Sequence, residues 1–557
     1  MKAKYIYIAL LGLFTVLGTS CEDRLNIPKH GNMGTQEDFY KTDADAMQAL
    51  SSLYNSWGTN SQVVGLHYNW QMTKNLLSDE LWAGGGGRGD NSEMEKLNEY
   101  SFDTDHSMIS GVYSGLYSII YKANLIIQLM EPDTPVKKTV MAEAKFFRAW
   151  ANFELVTLFG TAPKVDHLLE PGEYHQGNST PEELWAFVEQ DLNDALGYDA
   201  LPSKRNADDA ETGIRVTKEV AQAMLGKAYL FQKKYKEAAD ILDKVIASKK
   251  YALYRGDYDQ LLHVSTNNCC EAMLEVQKRN DPEQAWTVYA FNHIMVGWRT
   301  DRMTLTGAAK EEIATGTYGF CNPRKSLYDA FVAMEGEDGY RLKSSIRTYE
   351  QMEEYGVQLN AGAQLVGHEG YFNWKQRALR EDCMYDFSGF QVMQYINLRV
   401  MRYAEVLLLA AEAHVMGGSQ ESALAYINEV RDRARLAPLS AVTLDDVKKE
   451  KRLELCMEGV RFQDLVRWGD AEALMGEQGK EIPAFTVAGA TNLFENTLYG
   501  FKAKHNLLPI PLKEMQLNSN MVQNEVGNLL YITNNETYDE KDISIDCPAD
   551  ALFLWGM

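Results

Sequence analysis

Residues 221–246 read AQAMLGKAYLFQKKYKEAADILDKVI. Leu225, Gly226, Ala228 and Tyr229 are followed by Tyr235, Ala238, Leu242 and Val245, the spacing of a tetratricopeptide-like helix-turn-helix unit. Gly226 and Ala228 permit close helix approach, while Leu225, Tyr229 and Leu242 supply apolar area. Two helices of this kind bury little alone, so further helical layers must cover their outward faces.

A second pair runs from Arg402 to Arg433. Tyr403, Val406, Leu407, Ala410 and Ala413 mark one face, Gly417-Gly418 breaks the pattern, and Leu424, Ile427 and Val430 form the next stripe. A third helix starts at Thr443 and continues through Leu444, Val447, Leu455 and Phe462 toward Trp468. Its Glu450, Glu454 and Glu458 share a polar face near Arg452 and Arg461, which predicts a charged brace between helices. Earlier helices are expected at Asp45 to Tyr54, Val112 to Met130 and Met141 to Leu158. Thr180-Pro181-Glu182-Glu183 has the form of a helix start, with Thr180 as cap, Pro181 in the first turn and Glu183 closing a capping box.

The expected fold is mainly α: a tetratricopeptide-like helical scaffold with a large irregular insertion and ligand-binding loops. One body spans 36–557, divided into a helical part (about 36–250), an irregular middle region (about 251–400) rich in Gly, Tyr and Trp, and a helical and closing part (about 401–557).

The chain opens with an export signal. Lys2 and Lys4 precede an apolar stretch from Tyr5 to Leu17, and Gly18, Thr19 and Ser20 lead into Cys21. This is a lipobox-like arrangement, which predicts cleavage before Cys21 and acylation there, with 21–35 as a lipidated tether. The apolar run is shorter than the roughly 20 residues of a bilayer-spanning helix. Without residues 1–20, 537 residues remain, and loss of the two lysines moves the formal charge from −23 to −25. That acidity argues against nucleic acid as a partner, because non-specific affinity there comes from neutralising phosphates. Seven cysteines in 557 residues are too few for a disulfide-built scaffold.

Residues 78–91, SDELWAGGGGRGDN, are the first candidate binding loop. Trp82 can offer an aromatic face, Asp79, Arg88, Asp90 and Asn91 supply donors and acceptors, and the glycines allow turns that bring them together. Sugars suit this combination, since their C–H faces stack on aromatics and their rims need polar partners. The alternative is a surface loop with Trp82 packed inward as an anchor. Trp286 and Trp298, with Tyr289 and His293, form a second aromatic cluster, and Tyr371, Phe372 and Trp374 are either a patch or a buried strand. The glycine run lacks the Gly-Lys-Ser/Thr ending of a phosphate loop, and neither HExxH nor GxSxG occurs. The acid pairs Glu335 with Asp338 and Asp79 with Glu80 do not define a glycosidase site. The reading is therefore of a non-catalytic protein with no metal or cofactor.

An ordered series of motifs extends across nearly the whole mature chain. Residues 143–149 read EAKFFRA and are followed by Leu158-Phe159-Gly160; 402–408 read RYAEVLL, followed by Ala411-Glu412-Ala413; 427–434 read INEVRDRA. The most specific are 454–469, ELCMEGVRFQDLVRWG, and Leu508-Pro509-Ile510-Pro511 with Glu514, Asn518, Gln523-Asn524 and Gly527. In these residues the chain resembles the SusD/RagB-type family of Bacteroidota outer-membrane lipoproteins. The resemblance implies an extracellular lid over a SusC-like TonB-dependent outer-membrane transporter. The tetratricopeptide-like side would support the transporter contact, and variable loops would capture an oligosaccharide, a polysaccharide or another nutrient. Trp82 is similar in context to an aromatic platform of starch-binding members, but the full polar set of the starch site is not evident, so starch specificity is not carried over. A peptide-binding lid is the nearest alternative; a purely structural helical-repeat protein and a glycoside hydrolase stand further off. The tail after Gly527 extends past the family's closing motif.

Overall fold

The computed structural model describes residues 39–58, 65–384 and 392–524. Cys21 with its signal and tether, Cys547 and the tail after Gly527 lie outside the described residues.

The body is mainly α-helical, with small strand insertions. The first part contains α1 (Asp43–Gly58), α2 (Leu66–Leu76), α3 (Ser92–Glu99), α4 (Ser107–Leu129), α5 (Pro135–Phe159), α6 (Pro181–Gly197), α7 (Lys218–Phe231) and α8 (Tyr235–Ser248). Helix α5 packs between α4 and α6 and is almost wholly buried, with Phe146, Phe147, Phe153 and Phe159 in the main core. The capping box read at Thr180 is present: Glu183 N–H donates to Thr180 Oγ1 at 3.3 Å and Thr180 N–H donates to Glu183 Oε2 at 2.9 Å. At Gly226 the helices α7 and α8 come so close that an added Cβ would sit 2.5 Å from Leu242 Cγ.

Helices α9 (Tyr403–Gly417) and α10 (Gln420–Arg433) form the second predicted pair, and α9 packs directly on α8. Two helical pairs separated by some 150 residues of sequence are thus neighbours in space. The intervening chain leaves and returns through one antiparallel strand pair, Ala272–Val276 with Leu398–Arg402, in which Glu275 faces Arg399 and Val276 faces Leu398. Within that excursion a separate core gathers Trp298, Met303, Phe372 and Trp374. Tyr371–Asn373 is a strand, paired with Ile346–Thr348.

The third C-terminal helix differs from its reading. It is two helices, α11 (Leu444–Glu454) and α12 (Arg461–Trp468). Between them Met457 and Gly459 adopt φ of 66° and 81°, left-handed values that end a helix. The turn is held from elsewhere: Met457 N–H donates to Glu80 Oε2 at 2.9 Å, and Met457 C=O accepts from Asn75 Nδ2 at 3.1 Å.

The acids of this segment form the expected charged brace, and it is buried. Glu454 accepts from Arg402 and Arg341 at 3.2 Å and from Arg433 at 2.5 Å; Glu450 pairs with Arg341 at 2.6 Å. Glu458 pairs with Arg402 and Lys375, both at 2.7 Å. Five segments meet here, so the network locks the inserted region to the C-terminal helices. Removing one partner would strand a buried charge, at a cost of about 3–5 kcal/mol.

Candidate ligand-binding site

The glycine loop starts from the strand Leu81–Gly84, which pairs antiparallel with Phe320–Pro323. Gly85 follows with φ of 92°, and a Cβ there would meet the Phe320 ring at 2.5 Å, so the turn needs glycine. Gly85 N–H donates to Gly319 C=O at 2.8 Å and Asp90 Oδ2 accepts from Gly86 N–H at 2.6 Å. Arg302 donates to Gly86 C=O, which fastens the loop to the inserted region.

Of the residues singled out in sequence, Asp90 and Asn91 occupy this outer surface. Asp90 is exposed, with Arg299 Nη1 3.6 Å from its Oδ2. Arg299 also forks onto the exposed Asp301 at 2.8 and 2.6 Å. Asn91 caps α3, accepting from Met94 N–H at 3.2 Å, and its side chain also meets the Tyr68 hydroxyl. Arg88 is turned to protein partners: it pairs with Glu99 and, at 3.3 Å, with Glu95, and its guanidinium lies 4.6 Å from the Phe494 ring.

Asp79, Trp82 and Trp298 are corrected by the structure. Asp79 is buried and held by Arg461 at 2.8 and 3.0 Å and by Arg452 at 3.2 Å, leaving its carboxylate committed to protein. Burial alone would raise its carboxyl pKa, but Arg452 and Arg461 outweigh it and hold it below the usual range. Trp82 is only 8% exposed. Arg324 lies 3.6 Å from the centroid of its ring, and its indole N–H donates to Glu369 at 2.8 Å. Burial lowers the Arg324 pKa to about 10, and the Trp82 π-face is the surface that receives this cation. The inward anchor, rather than the open platform, describes Trp82. Trp298 belongs to the inner core, 5.7 Å from Trp374, with its N–H on Asn373 C=O at 2.9 Å. Trp286 falls on the short helix Ala285–Val288, and its side chain lies outside the described residues.

The aromatic component of the surface comes instead from the exposed Tyr318 and the half-buried Phe291, with the buried Tyr68 and Tyr289 packed behind them. Tyr68 and Tyr289 pack edge-on against Phe291 at 5.0 and 5.9 Å. Tyr318 is 40% exposed and is positioned by its N–H on Ile294 C=O at 2.9 Å. Arg299 is held charged first by Asp301, with Asp90 and Tyr318 also acting on it. Asp90, Arg299 and Tyr318 thus form a polar and aromatic rim, with Asn91 and Phe291 beside it. Tyr289, singled out in the sequence, is thus buried support, and neither Tyr318 nor Phe291 is among the residues singled out there. Tyr318 carried one signal, its position beside Gly319, which has φ of 73°.

Two family models match the chain: the SusD family over residues 282–527, and "Starch-binding associating with outer membrane" over residues 30–230. SusD-like protein P2 of Formosa agariphila is 27% identical, covering 94% of this chain and 99% of its own length. Starch-binding protein SusD of Bacteroides thetaiotaomicron is 23% identical, covering 94% and 100% respectively. A solved "Laminarin binding SusD-like protein" superposes with a TM-score of 0.72 at 29% identity, over 87% of this chain and all of that one. The motifs, the helical body and these matches agree: the chain belongs to the SusD family.

Proposed function

We propose that this protein is a non-catalytic glycan-capture lipoprotein that passes oligosaccharide to a paired SusC-like TonB-dependent transporter. The observation that carries this reading is the Asp90–Arg299–Tyr318 surface on a SusD-family body. Carboxylate, guanidinium and phenol groups there offer hydrogen bonds to sugar hydroxyls, while the Tyr318 and Phe291 rings offer apolar faces. The laminarin-binding relative supports a glycan over other nutrients.

In this reading Cys21 carries the lipid and holds the protein on the outer membrane, facing outward. The stacked pairs α7–α8 and α9–α10 act as a tetratricopeptide-like frame toward the transporter. The 251–400 region, closed at its base by the 272–276 and 398–402 strands, bears most of the ligand surface. Asp90 and Asn91 serve as direct polar contacts; Asp79, Arg88, Trp82 and Trp298 shape the surface from behind. An oligosaccharide screen by calorimetry tests the reading, with Tyr318→Ala as the variant. Saturable binding weakened by that substitution supports it. Binding confined to peptides, or shortening of the oligosaccharide, refutes it.

A further inference from the structure

The C-terminal end of α1 and the outgoing end of the strand Ala272–Val276 enclose a cleft of about 320 Å³, room for a sugar unit or two. Its walls include Trp57, Gly58, Glu275, Gln277, Lys278 and Arg279. Most of the charge there is already matched. Glu275 pairs with Arg399 at 2.9 Å, and its other oxygen accepts from Asn268 N–H and Asn397 at 2.9 and 2.7 Å. Arg279 turns to Asp281 at 2.9 Å and Gln284 at 3.0 Å.

Lys278 is the exception. Its ammonium has three donors. Among the described residues its only hydrogen-bond partner is the Gly58 carbonyl, at a long 3.5 Å, and no carboxylate pairs with it. Burial lowers its pKa to about 8, so it still carries charge at neutral pH. Trp57, on the same wall, has an indole N–H with no acceptor among the described residues. On a chain of formal charge −23, a cation without a carboxylate, facing a sugar-sized space, lacks an anionic acceptor. Thr287 and Val288 also line the cleft, immediately before the Tyr289–Phe291 aromatic edge, so both sites share one run of backbone.

We propose that the Lys278 cleft receives the acidic group of a sugar, a uronate carboxylate or a sulfate ester, and that the captured glycan is therefore an acidic one. The inference rests on the glycan-capture reading and adds the substrate class. A charge-assisted contact of this kind favours the acidic ligand by about tenfold or more.

The test is titration of the full chain with three probes: an oligogalacturonate, a sulfated galactan oligosaccharide and a neutral β-glucan hexasaccharide. One acidic probe is expected to bind about tenfold tighter than the neutral one, and which of the two does so identifies carboxylate or sulfate. Lys278→Met should erase that preference and Lys278→Arg should retain it, with circular dichroism checking that both fold. Wild-type affinity for the acidic probe should also weaken above about pH 8, where the free amine loses its charge, while neutral binding stays level. Equal affinity for acidic and neutral probes overturns the acidic-sugar assignment alone, as does a preference that survives Lys278→Met. Absence of binding to all three, and to a broader glycan panel, overturns the glycan-capture reading with it.

Discussion

Arg461 holds Asp79 through two hydrogen bonds, 2.8 and 3.0 Å, across 382 positions of sequence. Glu80, the next residue, takes the N–H of Met457. The start of the glycine loop is thus clasped by the turn between α11 and α12, and the position of the binding surface depends on a contact distant from it. Asp79→Ala should lower folding stability by about 3–5 kcal/mol, because it leaves buried Arg461, and half-buried Arg452 beside it, without their carboxylate. Chemical denaturation measures this. An unchanged midpoint would show that the pair contributes nothing.

Gly226 faces Leu242 with no room for a methyl group. Gly226→Ala should destabilise by about 1–3 kcal/mol through overpacking, even though alanine is the better helix former. The double-mutant cycle with Leu242→Val should show coupling, since a smaller partner relieves the clash. Strict additivity would contradict the close packing.

Acid should weaken the fold from near neutrality. Burial lowers the pKa of His67, His293, His368 and His505 from 6.5 to about 3. His368 Nδ1 accepts from Gly370 N–H at 2.9 Å, a bond that requires its neutral form at that atom. In each case the unfolded chain binds the proton more readily, so the stability of the neutral rings is full above pH 6.5 and shrinks as pH falls toward 3. Glu80 acts in the opposite sense. Burial first, and Asp79 next, raise its pKa from 4.5 to about 7, so its contribution is full below 4.5 and fades as pH rises through 7. Burial also raises the Glu99, Glu143, Glu335 and Glu429 carboxyls, each less than Glu80, and the four histidine shifts outweigh the set. The unfolding midpoint should fall between pH 6.5 and 4, less steeply in His368→Phe; a midpoint that rises over that interval would contradict the assignment.

The aromatic residues should separate into two classes. Tyr318→Ala should weaken oligosaccharide binding roughly tenfold, through loss of ring contact and a hydrogen bond, with little change in melting temperature. Trp82→Ala and Trp298→Ala should instead cost about 3–5 kcal/mol of stability, as large buried truncations do. Trp82→Ala also removes the ring beneath Arg324 and the donor to Glu369. Loss of affinity from Trp82→Ala without loss of stability would restore the platform reading for that residue.

The helical frame was legible because its signals are local. The periodicity of 221–246, the small residue at Gly226 and the Thr180 capping box each act within a few positions, and each has its counterpart in the structure. The surface was less legible because its determinants are distant. Trp82 has an open-platform composition around it, but the cation and carboxylate that occupy it come from Arg324 and, 287 positions away, Glu369. Glu450, Glu454 and Glu458 have the spacing of a solvated stripe; Arg341, Arg402 and Arg433, from three other segments, allow them to be buried. Arg299 and Tyr318 join Asp90 only once Gly85 and Gly319 are hydrogen-bonded, a pairing with no local sequence signature.

Isothermal titration of the full chain with an oligosaccharide panel, followed by sizing of the recovered sugar, tests glycan capture without catalysis most directly. The account predicts saturable binding of at least one oligosaccharide, reduced by Tyr318→Ala, with the sugar recovered at its original length. Absence of saturable glycan binding, or recovery of shortened sugar, would contradict it.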